Sequence, residues 1–149
     1  MARIIDANVN RCLEGLRVIA DAARFILDDS RITARLKKIR HDTKDAVKNL
    51  SDDSELLFSR DSGKDVGAES FTASEARRNS VGDILRANFR RVEESYRVLE
   101  EYTKLINPPH SECFKNLRFR TYSLEKAIFL KRRRFAARGG KVKKRKQSI

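Results

Sequence analysis

The 149-residue chain has no tryptophan, two prolines, six glycines and two cysteines. So little punctuation argues against many short strands and for long helices. Cys12 and Cys113 lie 101 residues apart with no partner pattern. That spacing offers neither a disulfide framework nor a zinc module, and both read as reduced thiols of a cytoplasmic protein. His41 and His110 are the only histidines, which excludes a His-rich metal site. No apolar run approaches the roughly 18 residues of a membrane span. Met1-Ala2-Arg3-Ile4-Ile5-Asp6 reaches an acid after two isoleucines, unlike a signal peptide. The length fits one domain with one core, burying about two thirds of its surface.

What the chain has in excess is basic charge: 34 Lys+Arg against 21 Asp+Glu, a net +13. Ten of the basic residues fall in 131–149, which holds no acid, so residues 1–130 carry only +3. The expected organisation is a helical domain over 1–130 and a basic, disordered tail over 131–149. Nucleic-acid binding inferred from the net charge then belongs to the tail, which reads equally as a solubilising segment or the remnant of a linker.

Apolar spacing of three and four predicts the helices. The first carries Val9, Cys12, Leu16, Ile19, Ala23 and Ile26, with Ser30 expected to cap the next. The second carries Leu36, Ile39, Thr43, Ala46 and Leu50. A short apolar patch, Leu56-Leu57-Phe58, precedes a polar loop over 59–67, and a short helix is expected from Ser74. A long helix carries Leu85, Phe89, Val92, Tyr96, Leu99, Thr103 and Ile106, and Asn107-Pro108-Pro109 stops it. A last helix is expected from about Ser111 to Leu130.

Residues 7–18 match 87–98 at Ala7/Ala87, Asn8/Asn88, Arg11/Arg91, Glu14/Glu94, Arg17/Arg97 and Val18/Val98, a shift of 80. The following helices match at a shift of 78, through Lys37/Lys115, Ile39/Leu117, Arg40/Arg118 and Thr43/Thr121. The expected fold is therefore all-α: two duplicated helical hairpins packed face to face with a pseudo-twofold relation, and a crossover at about 51–80.

Few polar residues stand out. Asn8, Arg11 and Gly15 form a row beside the apolar stripe. The duplicated pairs Asn8/Arg11 and Asn88/Arg91 could line an anion-binding cleft between the hairpins, or make hydrogen bonds between them. Glu14–Arg17, Asp21–Arg24 and Glu94–Arg97 read as i,i+3 pairs on a solvated face. In Arg40-His41-Asp42 the adjacent His and Asp do not face each other on a helix, so His41 reads as a surface histidine. The phosphate-loop spacings G-x-x-x-x-G-K-[ST] and G-x-G-x-x-G are absent. The loop Arg60-Asp61-Ser62-Gly63-Lys64-Asp65-Val66-Gly67 still offers cations, two carboxylates and glycines, as phosphate chemistry with Mg²⁺ requires, though a solvated turn has the same composition.

Several blocks in order carry a resemblance: Arg3-Ile4-Ile5-Asp6-Ala7-Asn8-Val9-Asn10-Arg11, Glu14-Gly15-Leu16-Arg17-Val18, Ala23-Arg24-Phe25, Leu27-Asp28-Asp29, Leu36-Lys37, Arg40-His41, the Arg60-Asp61 and Asp65-Val66-Gly67 loop, Ala87-Asn88-Phe89, Arg97-Val98-Leu99-Glu100-Glu101-Tyr102 and Arg118-Phe119-Arg120. Over about residues 3–130 the chain resembles the small helical, monofunctional hydroxymethylpyrimidine phosphate kinase family of bacterial thiamin biosynthesis, found alone or fused to thiamin-phosphate synthase. One departure is Ala20, where the family pattern has an acidic residue; Asp21 stands beside it. The resemblance implies phosphoryl transfer from ATP, with Mg²⁺, to 4-amino-5-hydroxymethyl-2-methylpyrimidine monophosphate, and no action on the free alcohol.

Position and charge then nominate Arg60, Arg11 and Arg91 as catalytic phosphate-binding residues. Asn8, Asn88, Lys64, Arg40 and Gly67 are nominated for substrate or phosphate binding, and Asp61 and Asp65 for Mg²⁺. A thiamin-phosphate synthase is an expected partner and a homodimer fits a small helical enzyme. Two other classes fit the same residues: a nucleic-acid-binding protein acting through the tail, and a non-catalytic helical module that docks on a synthase.

Overall fold

In the computed structural model, residues 1–50, 53–61, 63 and 78–138 are described, without the side chains of residue 53 and of 132–138. They form α1 (Ala2–Phe25), α2 (Ser30–Lys48), a short α3 (Asp53–Phe58), α4 (Val81–Thr103), a 3₁₀ turn (Pro108–His110) and α5 (Ser111–Arg138), with no strand among them. The fold is the expected all-α bundle. None of these helices is long and apolar enough to cross a membrane.

The stripes read from the sequence form the core except at their ends, where Ile26 lies just past α1 and is exposed. Cys12, Leu16, Ile19, Leu36, Leu85, Phe89, Val92, Tyr96, Leu99, Phe114, Leu124 and Ile128 are fully or almost fully buried. Burial of such side chains contributes about 1.5–3 kcal/mol each and dominates the stability of an amphipathic bundle. α1 packs on α4 and α2, and α5 packs on α4 and α2, so four helices close a ring, with α3 against α1. The short links α1–α2 and α4–α5 make those pairs antiparallel. Lys131 meets Asp29, Arg120 meets Asp42 and His110 meets Ala46, so α2 and α5 are antiparallel too. It follows that α2 ends and α4 begins at opposite ends of the bundle.

Some boundaries differ from the sequence reading. Asp29, not Ser30, caps α2: its Oδ1 accepts from the Ile32 N–H at 3.0 Å. Asp28 takes a left-handed φ of 47°, which Asp tolerates, and lets the Asp29 N–H turn back to the Ala23 carbonyl at 3.0 Å. Lys131 pairs with Asp29 and, with the Ile32 N–H, holds its carboxyl below the usual range. Ile106 lies beyond the end of α4 and is exposed, because the helix stops at Thr103. Leu50 similarly lies past α2. α5 runs eight residues past the expected Leu130 boundary, to Arg138. The helix expected from Ser74 and residues 139–149 lie outside the described residues.

Both cysteines are free, Cys12 buried and Cys113 half-buried. Burial pushes the Cys12 thiol up to about 12 and raises Cys113 as well, so neither is a nucleophile at neutral pH. A buried hydrogen-bonded pair joins the hairpins: the Tyr96 and Thr43 hydroxyls lie 2.6 Å apart. The Thr43 hydroxyl donates to the Ile39 carbonyl at 2.7 Å, so Tyr96 is the donor to Thr43.

α1 and α4 approach closely at Gly15. A Cβ there would lie 2.8 Å from Val92 Cγ2 and 3.1 Å from the Asn88 carbonyl oxygen. Gly15→Ala gains up to about 1 kcal/mol of helix propensity, but overpacking against a backbone atom costs about 1–3 kcal/mol. The expected result is a net loss in urea unfolding, partly recovered when Val92→Ala is added. Loss without recovery would show that the Asn88 backbone contact dominates.

Candidate functional site

Apart from Arg40 on α2, the nominated residues that are described fall in two places. The first is the start of α1. The Asp6 carboxylate, buried on α1, accepts Arg60 Nε at 2.7 Å, Arg60 Nη2 at 2.9 Å and Asn10 Nδ2 at 3.0 Å. Arg3 Nη2 donates to the Asp61 carbonyl at 2.8 Å. Together these contacts strap α3 and residues 59–61 onto the first turns of α1. Arg60 therefore spends two of its donors on Asp6, while its side chain stays 49% exposed. The Asp61 side chain is exposed. Lys64, Asp65 and Gly67 lie outside the described residues.

The second place is the α1–α4 layer. Asn8 Nδ2 donates to the Ile4 carbonyl at 2.9 Å and Asn88 Nδ2 to the Ile84 carbonyl at 2.8 Å. Each amide donor is thus used inside its own helix, so neither makes the inter-hairpin bond weighed from the sequence. The side-chain oxygen remains for other partners, and that of Asn88 lies toward Gly15. Arg11 and Arg91 are exposed, and neither forms an ion pair among the described residues.

The outer row pairs differently from the i,i+3 expectation. Arg17 meets Asp21 at 3.1 Å, not Glu14. Arg97 meets Glu100 at 3.1 Å and Glu101 at 2.9 Å, not Glu94. The reason is burial: Glu100 is 5% exposed and requires cations. Arg118 supplies two more bonds to it, from Nε at 3.2 Å and Nη2 at 2.6 Å. Arg40, the matching residue on α2, has a buried Nε that donates to no described group.

His41 is exposed and meets Asp45 at 2.9 Å, one turn away, as a surface histidine does. His41, Asp42 and Asp45 lie close enough to share a cation, but Asp42 is already engaged by Arg120 at 2.7 Å and Lys38 at 3.5 Å. Cys113 sits 3.5 Å from His110 Nε2. That nitrogen lies 2.8 Å from the Ala46 carbonyl and must carry a proton to bond it, so it is no base for the thiol.

Charge is segregated by layer. α1 and α4 together carry eight basic and eight acidic residues, whereas α2 and α5 carry sixteen and four. Between α2 and α5 lies a groove of about 410 Å³ bordered by Arg35, Lys38, Arg120 and the exposed Phe119.

Three carboxylates went unnominated: Asp6, Glu100 and Glu93. Each interrupts the edge of an apolar stripe, a signal that exists in the sequence but does not name the partner. Glu93 is almost wholly buried on α4, with one oxygen lacking any partner. Burial first, and then the facing Glu125 of α5 together with Glu94, push its carboxyl up to about 7 against the opposing pull of Arg90.

These features define an all-helical, arginine-rich bundle protein. The chain belongs to the ThiD2 family, which it matches over residues 3–127. It is 42% identical over 128 residues to a protein of Synechocystis sp. named thiamine-phosphate synthase, covering 86% of this chain and 36% of that one. The protein of that name from Rhodopirellula baltica is 38% identical over 140 residues, covering 94% and 37%. That from Nostoc sp. is 42% identical over 123 residues, covering 83% and 34%. The chain thus spans about a third of the length of the curated relatives it matches. No solved structure matches it significantly.

Two predictions follow from this geometry. Asp6→Asn should release residues 59–61, read as faster amide exchange there, while the bundle core stays protected. If Arg60 acts only as a strap, Asp6→Asn and Arg60→Ala will lower activity alike; a much larger loss in Arg60→Ala assigns Arg60 to the phosphates. The second concerns pH. A carboxyl raised in the folded state contributes stability that is fully present below its unfolded value, near 4.5, and lost as pH rises through about 7. Relative to Glu93→Gln, the wild-type melting temperature should fall between pH 5 and 8, with the variant the more stable at pH 8.

Proposed function

We propose that this chain transfers a phosphoryl group from ATP to hydroxymethylpyrimidine monophosphate, giving the diphosphate, in thiamin biosynthesis, and leaves the free alcohol untouched. What supports the reading is family membership over residues 3–127, together with relatives named thiamine-phosphate synthase. Those relatives are about three times as long, which makes a thiamin-phosphate synthase the natural partner.

The reaction suits the residues. A phosphate oxygen is the nucleophile and is already anionic near pH 7, so no strong base is required. The barrier lies in bringing two anions together, and catalysis consists of neutralising charge and holding the groups in line. Arg11 and Arg91 are exposed cations at matching positions of α1 and α4, suited to phosphate oxygens. Asn8 and Asn88 keep a free carbonyl oxygen on the same layer for orienting the substrate. Bound Mg²⁺ would supply charge neutralisation on the nucleotide phosphates. Its usual habit of one or two carboxylates plus water fits the exposed Asp61, with Asp65 as the second nominee. Cations placed for the substrate's phosphate would stay unpaired with the free alcohol, which is a physical basis for rejecting it.

The test is ADP formation from Mg²⁺-ATP with the monophosphate, and in parallel with the free alcohol. Turnover is expected with the monophosphate alone. Arg11→Ala and Arg91→Ala should each lower kcat by about 100-fold or more with the melting temperature unchanged. Folded protein that turns over neither substrate would overturn the reading and favour a docking module.

A further inference from the structure

The two hairpins treat one arginine differently. On α5, Arg118 lies mostly buried and is neutralised by Glu100 of α4. Arg97 closes on the same carboxylate, and Arg118 Nη1 reaches the Tyr122 hydroxyl at 3.3 Å. At the shifts of 80 and 78, the counterparts of Glu100, Arg97, Arg118 and Tyr122 are Ala20, Arg17, Arg40 and Lys44. α1 packs on α2 as α4 packs on α5. Three of these positions are thus cationic, and the carboxylate that would join them is replaced by a methyl group.

Arg40 registers the loss. Its Nε is buried and donates to nothing among the described residues. A buried guanidinium donor left unmatched costs on the order of 1–3 kcal/mol and calls for an explanation. Asp21 meets Arg17 at 3.1 Å and makes no bond to Arg40 Nε. Ala20 packs at the edge of the core, only partly buried, so the position is reached from solvent.

We infer that the α1–α2 hairpin carries a seat for an external oxyanion beside Ala20, in which a phosphate group takes the place that the Glu100 carboxylate occupies in the α4–α5 hairpin. Arg40 is the primary donor, with Arg17 and Lys44 at the rim. A guanidinium fork matches two oxygens of a phosphate as it matches two of a carboxylate. The seat goes beyond the proposed reaction, because it requires no turnover to exist.

The experiment measures thermal unfolding and calorimetric titration of the full chain with inorganic phosphate and with methyl phosphate, at constant ionic strength in chloride. Wild type should show a saturable rise in melting temperature. Ala20→Glu should bind at least about tenfold more weakly and melt no lower without phosphate, because the built-in carboxylate then satisfies Arg40. Arg40→Gln should also lose binding, and it keeps the test open if Ala20→Glu fails to fold. Equal binding of methyl phosphate would assign the seat to a phosphomonoester; binding of inorganic phosphate alone would assign it to the free ion. Absence of a saturable shift in wild type, or undiminished binding in both variants, would overturn the seat and leave Arg40 solvated by water.

Discussion

The close contact of α1 and α4 at Gly15 sets the geometry on which the rest of the bundle depends. The missing side chain lets the two central helices approach until Val92 and the Asn88 carbonyl fill the space. That spacing buries the α1 and α4 stripes against each other and leaves their opposite edges for α2 and α5. It brings Asn88 against Gly15, while Asn8, seven residues earlier on the antiparallel α1, stands further along the seam. The glycine therefore acts through packing, with no need for an unusual backbone angle.

Buried carboxylates mark the joints between elements. Asp6 joins α1 to the segment after α3, Asp29 joins the α1–α2 turn to α5, and Glu100 joins α4 to α5. Each has a cation from a different element, so each fixes a relative position that apolar packing alone would leave free to slide. Such pairs are weak evidence of stability, since desolvation offsets much of the attraction, and their value here is geometric. Glu93 is the exception. It is buried and faces another carboxylate, and both push its carboxyl up to about 7, which makes its charge depend on pH.

The helices were legible because burial on a bundle repeats every 3.6 residues, and every stripe residue from Val9 to Ala23 proved buried. What was not legible involved partners far apart in sequence or choices between near-equal neighbours. Arg60 meets Asp6 across 54 positions, which no local spacing reveals. Arg97 prefers Glu100 and Glu101 to Glu94 because Glu100 is buried, a fact of tertiary packing. Asp29 displaces Ser30 as the cap because Asp28 enters a left-handed turn, shifting the helix start by one residue. The repeat nominated Asn8 and Asn88 as equivalent positions, and each amide donates to the carbonyl four residues back in its own helix. The nomination of Arg11 and Arg91 rests on exposure and position.

The charge layering adds a long-range argument to these local ones. The net charge of the chain was assigned from composition to its C-terminal segment, with a nearly neutral body. In the fold, acids gather on α1 and α4, where they balance the arginines, and the surplus cations gather on α2 and α5. A surface so divided has a direction: anions are drawn toward one side and meet balanced charge on the other. For the proposed transfer between two phosphate-bearing molecules, this division separates two tasks. Exposed cations at the α2–α5 groove, such as Arg35 and Lys38, attract anions in general and are screened by salt. On the α1–α4 layer Arg17 and Arg97 are paired with acids, whereas Arg11 and Arg91 form no ion pair among the described residues and are left for an external anion on the proposed reading. On the proposed reading, attraction of anions in general and selection of one anion belong to different faces, which the four-helix ring holds in a fixed relation.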